Sequence, residues 1–403
     1  MLSKDEAFKL TRFKFDDLKA SAAAIRDAHV GDRITYTPQV ALPLTQLCRD
    51  SCGYCTFAQS PTTEKPPYLE LDKIGDLCRN AEVAFCSEAF FTLGEFPEEK
   101  YDEAKQWLES HGYQTTIDYL AAASKYVLEN FGLLPTTNPG SVTGKTIAKL
   151  KQSSSSQKML LENIAGRLSE PGGPHFGCPD KAPARRLSSL EAAGREKVPF
   201  STGVLIGIGE TREEIISTLL AIRELHTRFN HIQEVIVSNF LPRPNTSMEN
   251  AQACDEYEHL WAIAATRLIF NDTTHVQAAP NITHSVLNLI DAGIDDLGGI
   301  SPVTPDYHNP DHPWPHLSTL KMQIGEVGKN LVARANIYPE FIDRPGFVHE
   351  KVLPFVKEVV NSEGYLKLDP TQGSSGEKEI LDLTKVEYVE AKVRDRNLPV
   401  KHR

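Results

Sequence analysis

The stretch Val40-Ala41-Leu42-Pro43-Leu44-Thr45-Gln46-Leu47-Cys48-Arg49-Asp50-Ser51-Cys52-Gly53-Tyr54-Cys55-Thr56-Phe57 joins an apolar run to three cysteines spaced Cys-x3-Cys-x2-Cys. With Ile34-Thr35-Tyr36 just upstream, the apolar run reads as a strand that ends in a cysteine loop. Three thiolates on one short loop can each hold one iron of a 4Fe-4S cluster. The fourth iron then lacks a protein ligand and is free to bind a small molecule. The competing reading is structural zinc, which wants four nitrogen or sulfur ligands, commonly from two separated Cys-x2-Cys knuckles. No second knuckle follows, and Cys78, Cys86, Cys178 and Cys254 read as small core residues.

Outward from the loop, strand-like and helix-like segments alternate. Residues 81–85 read as a short strand, 115–131 as a helix stopped by Gly132, and 198–208 as a strand ending in glycines. A helical stripe of Ile215, Leu219, Ile222 and Leu225 marks 213–229. Strand 234–238, helix 257–270 and strand 275–279 follow, and Met159-Leu160-Leu161 is strand-like before Glu162-Asn163. Repeated β-α alternation predicts an α/β fold, a parallel barrel with helices outside and its chemistry on loops at the strand C-termini. The division read from the chain is a helical extension over 1–30, the barrel over 31–345 and a C-terminal extension over 346–403, with one β-like patch at 386–389. The serine run at 153–156 reads as a solvated loop.

Composition narrows the function. The chain has 403 residues and a formal net charge of −11, which disfavours a nucleic-acid binder because counterion release needs clustered Lys and Arg. Seven cysteines, three of them clustered, point to metal or redox chemistry in a reducing compartment. No run approaches the ~20 apolar residues of a membrane span, and no secretory signal opens the chain, so a cytoplasmic, membrane-free protein is expected. Three motif-like features are set aside. Gly140-Ser-Val-Thr-Gly144-Lys145-Thr146 is one residue short of a phosphate loop, carries Pro139 in place of its first glycine and shows no preceding apolar strand. Gly203-Val-Leu-Ile-Gly207-Ile-Gly209-Glu210-Thr211 lacks the third glycine of a dinucleotide loop and makes a good helix start. His308, His312 and His316 have helical spacing, but Pro310, Pro313 and Pro315 make a rigid loop the better reading.

The cysteine spacing is that of the radical S-adenosylmethionine enzymes, which this sequence resembles. The resemblance narrows to the CofG deazaflavin-synthase family over roughly 30–345. It is carried by Leu47-Cys-Arg-Asp-Ser-Cys-Gly-Tyr-Cys-Thr-Phe57, Phe85-Cys-Ser-Glu-Ala-Phe-Phe-Thr-Leu-Gly-Glu95 and Gly132-Leu-Leu-Pro-Thr-Thr-Asn-Pro-Gly140. Val198-Pro-Phe-Ser-Thr-Gly-Val-Leu-Ile-Gly-Ile-Gly-Glu-Thr211 and Gly298-Gly-Ile-Ser-Pro-Val-Thr-Pro-Asp306 add to it, the latter running on to Pro315. Only one cysteine triplet occurs, so the chain resembles the single subunit rather than the fused synthase.

The resemblance implies a radical SAM-type TIM barrel with a six-unit core, open or closed to eight. It implies a 4Fe-4S cluster on Cys48, Cys52 and Cys55, with S-adenosylmethionine on the open iron. Tyr54, Gly94, Glu95, Glu162, Arg186, Gly207 and Glu210 would bind that cofactor. Glu95 would receive the methionyl amine and Arg185 or Arg186 the carboxylate; a plain turn, salt bridges and helix capping are the competing readings. Gln277, Asn281, Asp306 and Trp314 would face the substrate, with Tyr307 or Trp314 stacking on a ring; loop packing explains them equally well. The implied reaction closes an adduct of tyrosine's hydroxybenzyl group and a ribityl-diaminouracil to 7,8-didemethyl-8-hydroxy-5-deazariboflavin with loss of ammonia. A CofH-type synthase would supply the adduct and an external donor the electron. The rivals are a CofH-type or menaquinone-pathway radical enzyme and, from another class, a zinc-stabilised binding module without catalysis.

Overall fold

β1 (Arg33–Thr45) is long enough to pair with three neighbours in the computed structural model, which describes residues 1–368 and 370. Along the barrel follow β2 (Glu88–Leu93), β3 (Leu134–Asn138), β4 (Ser156–Lys158), β5 (Phe200–Ile206), β6 (Ile232–Asn239), β7 (His275–Gln277) and β8 (Asp296–Ile300). Each pairs in parallel with the next, and β1 closes the ring through β8 on one side and β2 on the other. The expected barrel is therefore present, closed at eight strands. A ninth strand, β9 (Asn330–Ala333), runs beside the first residues of β1, below the stretch that pairs with β2.

The helices form where the apolar stripes placed them. Arg212–Phe229 starts at a capping box of Thr211 and Glu214 and buries Ile215, Leu219, Ile222 and Leu225. Thr116–Phe131 ends at Gly132, whose φ of 66° supplies the left-handed C-cap. At the N-terminus, Lys4–Lys9 and Phe15–Val30 are helical and lie on the outer helical layer. Trp261 Nε1 donates to Leu10 O at 3.2 Å, and Arg212 Nη1 donates to Phe13 O at 2.9 Å. No helix among the described residues is long and apolar enough to cross a membrane.

Four expectations need correction. Residues 81–85 are not a strand. Ile74, Cys78 and Ala81 form one buried stripe of the helix Leu71–Val83, and the strand follows at Glu88–Leu93. The serine run is not a solvated loop, because Ser153, Ser154, Ser155 and Ser156 are 1–5% exposed. Their short hydroxyls satisfy themselves inside: Ser154 donates to Leu150 O at 2.9 Å, Ser155 to Asn336 Oδ1 at 2.8 Å, and Ser156 meets Thr136 at 2.9 Å. Pairing shifts the strand there to Ser156–Lys158, ahead of Met159-Leu160-Leu161. A strand, Leu134–Asn138, does precede the glycine loop at 140–146, and Thr143 caps the helix Gly144–Lys151. The β-like patch at 386–389 lies outside the described residues.

The lower end of the barrel is plugged by the chain leaving β9. Arg334 makes a bidentate pair with Asp296 (2.6 and 2.9 Å) and reaches Glu234 at 3.1 Å. Its guanidinium lies 4.0 Å from the Tyr338 ring, and Tyr338 donates to Glu234 at 3.0 Å. Asn336 ties in Leu134 O at 3.0 Å and Thr136 at 2.8 Å. All of these groups are buried, so removing the one cation leaves two uncompensated carboxylates. Arg334→Leu is expected to cost about 3–5 kcal/mol in denaturant unfolding. A loss below ~1 kcal/mol would remove the plug from the stability of the barrel.

Candidate functional site

The cysteine loop is fixed by the strand it leaves and by the end of β2. Gly94 N donates to Thr45 O at 2.9 Å, Arg49 N to Glu95 O at 3.0 Å, and Glu95 N to Cys48 Sγ at 3.2 Å. The approach requires a glycine, since a Cβ on Gly94 would stand 2.0 Å from Leu47 O. Arg49 then clamps Asp180 with two bonds of 2.6 Å, and Gly53 N donates to Pro174 O at 2.7 Å. These contacts dock the segment 166–182 on the loop.

Cys48, Cys52 and Cys55 line one side of a cavity of about 360 Å³ at the strand C-termini, where a barrel carries its chemistry. Asp50, Cys52 and Cys178 approach within single-ion spacing, with ligand atoms inside 4.8 Å of one another; the Cys48–Cys52–Cys55 triplet is not such a group. A wide three-thiol set open to a cavity suits a multi-iron cluster better than one tetrahedral zinc. Burial pushes the Cys48 thiol up to about 12.

Of the expected cofactor residues, Tyr54, Gly94, Glu95, Glu162 and Arg186 line the cavity behind the loop, several of them already engaged, whereas Gly207 and Glu210 do not line it. Glu95 is buried and paired with Arg186 at 2.8 Å, while its other oxygen accepts from Ser141 N at 2.8 Å. Gly140, at φ 76°, leaves room for this carboxylate; a Cβ there would lie 1.9 Å from Glu95 Cδ. Arg186, only 3% exposed, spends its remaining donors on Asp180 O at 3.0 Å and on Leu160 O. Glu162, at φ 66°, accepts from Tyr54 and Lys181 and lies 3.1 Å from His175 Nε2. Burial pushes this carboxyl up, but Lys181, His175 and Arg186 together hold it well below the carboxylate range. Burial, against Arg186 and Lys181, leaves Glu95 raised instead. Glu210 folds its own turn, accepting from Gly207 N at 2.7 Å and Ile208 N at 2.9 Å.

On the far wall, Asp306 organises a loop, accepting from His308 N at 2.9 Å and from Asn281 Nδ2 at 2.9 Å. The histidines at 308, 312 and 316 lie on this loop, and a helix begins only at Leu317–Glu326. Asn281 Oδ1, Gln277 Oε1 and Trp314 Nε1 are buried without a hydrogen-bond partner. Gln277 and Trp314 line the cavity, as do Tyr307 and His308. Lys181, His175, Asp180, Ser141 and Arg49 escaped the sequence reading. The available signal was the dense charge of Cys178-Pro-Asp-Lys-Ala-Pro-Ala-Arg-Arg186, which cannot reveal partners elsewhere in the chain. Cys78 and Cys86 are core residues as expected, but Cys178 lies against the cysteine loop instead.

A closed β/α barrel with a three-thiol loop leaving its first strand defines a radical SAM enzyme, and residues 42–222 match the Radical SAM superfamily. The chain belongs to the FO synthase family. It is 42% identical over 335 residues to the 7,8-didemethyl-8-hydroxy-5-deazariboflavin synthase of Methanopyrus kandleri, covering 83% of this chain and 100% of that protein. It is 46% identical over 356 residues to the FO synthase of Nocardia farcinica, covering 85% of this chain but 41% of the relative, so it spans less than half of that protein. The barrel is similar to the FeFe-hydrogenase maturase HydG of Carboxydothermus hydrogenoformans, with a TM-score of 0.68, 18% identity, and coverage of 89% of this chain and 82% of that one. It is also similar to methylornithine synthase PylB, with a TM-score of 0.63, 17% identity and coverage of 82% and 94%. Membership of the radical SAM family implies a 4Fe-4S cluster and S-adenosylmethionine.

Because Glu162 is held below its usual range, its contribution to stability is full above about pH 4.3, its unfolded value, and drains as pH falls toward the folded one. Glu162→Gln is expected to lose about 3 kcal/mol at pH 7, since it strands the buried Lys181 ammonium. In urea titrations the gap to the unsubstituted chain narrows below about pH 4. A gap unchanged from pH 7 to pH 3 refutes the ionised pair.

Proposed function

We propose that this chain forms 7,8-didemethyl-8-hydroxy-5-deazariboflavin from 5-amino-5-(4-hydroxybenzyl)-6-(D-ribitylimino)-5,6-dihydrouracil with release of ammonia, as a radical SAM carbon–nitrogen lyase. The carrying observation is the three-thiol loop opening on a cavity, in a chain that aligns with the whole length of the Methanopyrus relative. Cys48, Cys52 and Cys55 are the cluster ligands in this reading. The cluster and S-adenosylmethionine, when bound, supply the 5′-deoxyadenosyl radical that abstracts hydrogen.

The protein's own residues do the rest. Ionised Glu162, with Lys181 and Arg186, gives the cofactor side of the cavity a fixed charge pattern that meets an amino-acid moiety. Tyr54, Gly94 and Glu95 shape that side, and Gly207 and Glu210 hold the turn after β5. On the substrate side Gln277 Oε1 and Asn281 Oδ1 accept, and Trp314 Nε1 donates. Their unpaired state supports a ligand with both N–H and C=O groups, as a pyrimidinedione has. Asp306 positions Asn281. His308, kept neutral by burial, stacks on Phe57 at 4.8 Å and meets Thr92 at 3.1 Å, forming an aromatic wall. A CofH-type synthase supplies the adduct, and an external donor supplies the electron.

Anaerobically reconstituted enzyme with S-adenosylmethionine, a low-potential reductant and the synthetic adduct is expected to yield the fluorescent deazaflavin, ammonia, methionine and 5′-deoxyadenosine. Cys48→Ala, Cys52→Ala and Cys55→Ala lose iron and product together, whereas Cys78→Ala keeps both. Joining of tyrosine and the diaminouracil by this chain alone would make it the partner enzyme. Formation of 5′-deoxyadenosine without deazaflavin would refute the assignment while sparing the radical chemistry.

Trp314→Phe keeps the ring and removes one donor, so KM for the adduct is expected to rise ~10-fold, about 1.4 kcal/mol, with the iron content unchanged. An unchanged KM would take Trp314 out of the substrate contacts.

A further inference from the structure

We propose that Cys178 is the resolving thiol of Cys52, and that in the metal-free chain the two close a reversible disulfide. Cys178 is on no strand or helix of the core. It sits at the end of the docked segment, bracketed by the Pro174 O contact to Gly53 and the Asp180 clamp on Arg49. Those anchors hold its thiol over Cys52, and the two sulfurs lie within 4.8 Å of each other. A disulfide needs ~2.05 Å, so the two sulfurs close the remaining gap when the bond forms.

The neighbouring groups favour this pairing over others. Cys48 Sγ is taken by the Glu95 N–H, and Cys78 and Cys86 lie in a separate part of the core. Cys52 lines the open cavity, whereas Cys178 is 4% exposed. An oxidant therefore reaches Cys52 first, and Cys178 is the internal thiol that answers. Asp50 supplies a second observation. Its carboxylate is 3% exposed, has no hydrogen-bond partner on either oxygen, and completes the trio with both sulfurs. Asp50 thereby borders the same small space as the two sulfurs.

The chemistry balances with a disulfide oxidant such as oxidised glutathione. Cys52 as thiolate attacks one sulfur of the oxidant, forming a mixed disulfide and expelling one glutathione thiolate. Cys178 then attacks Cys52 Sγ, forming the internal bond and expelling the second glutathione. The two cysteines lose two electrons and two protons in all, and the oxidant becomes two thiols. The bridge occupies one of the three thiols of the cysteine loop until a dithiol reductant opens it. This step does not depend on the proposed deazaflavin reaction, and only its consequence rests on the reading of Cys52 as a cluster ligand.

The test uses the full chain stripped of metal, equilibrated with oxidised glutathione, alkylated and digested with trypsin without reduction. Two of the seven thiols are expected to disappear. Peptide 50–73 should be linked to peptide 168–181, with fragmentation between Cys52 and Cys55 placing the bond on Cys52. Cys178→Ser abolishes the link and leaves Cys52 glutathionylated, while anaerobic reconstitution gives it the same iron content as the unsubstituted chain, showing that it folds. A Cys52–Cys55 bond with Cys178 alkylated overturns the proposal. So does a zinc ion that resists chelation and is lost in Cys178→Ser, because the trio would then be a metal site.

Discussion

Arg186 is the group on which the upper rim of the barrel depends. A guanidinium at 3% exposure has to place its donors inside the protein, and it does so on three segments. One bond goes to Glu95 beyond β2, one to Leu160 O beyond β4, and one to Asp180 O in the docked segment. Glu95 in turn holds the cysteine loop through its own backbone, with its N–H on Cys48 Sγ and its C=O on Arg49 N. The thiols are therefore oriented by a chain of contacts that runs back to one buried cation.

The barrel uses polar groups differently at its two ends. Below, Arg334 and Tyr338 donate to Asp296 and Glu234, Asn336 donates to Leu134 O and Thr136, and the ring closes on a satisfied network. Above, Gln277 Oε1 at the end of β7 and Trp314 Nε1 on a late loop have no partner beside the cavity, and Asn281 Oδ1 is likewise unpaired. Buried polar groups that stay unpaired are costly, which is the ground for proposing that a ligand completes them there. The satisfied network thus lies at the strand N-termini and the unpaired groups at the opposite end, where parallel barrels carry their chemistry.

Both carboxylates behind the cysteine loop are buried, yet their surroundings push them in opposite directions. Glu162 is surrounded by Lys181, His175 and Arg186 and stays ionised, while burial dominates at Glu95 and raises it. Two acids of the same length are thus shifted in opposite directions because Glu162 has His175 beside it as well as Lys181 and Arg186. The loop 166–182 supplies most of those neighbours, which makes it part of the site rather than a connector.

The sequence by itself determined the elements that rest on local chemistry. The helix Arg212–Phe229 follows from its stripe and its Thr211 cap, and the Thr116–Phe131 helix from its stop at Gly132. The cysteine loop follows from three thiols at a spacing that few other sites use, and the β-α order carries the parallel barrel. Segments whose role is set by distant partners were not legible. The serines 153–156 look solvated until Asn336 and Thr136 arrive from elsewhere to satisfy them. Cys178 looks like a small core residue until the docked segment carries it to Cys52, and Lys181 is one charge among many until it meets Glu162. Hydrophobic periodicity and capping act over a few residues and can be read from one chain segment. Ion pairs, buried hydroxyl contacts and thiol neighbours join segments far apart, so only the tertiary structure could decide them.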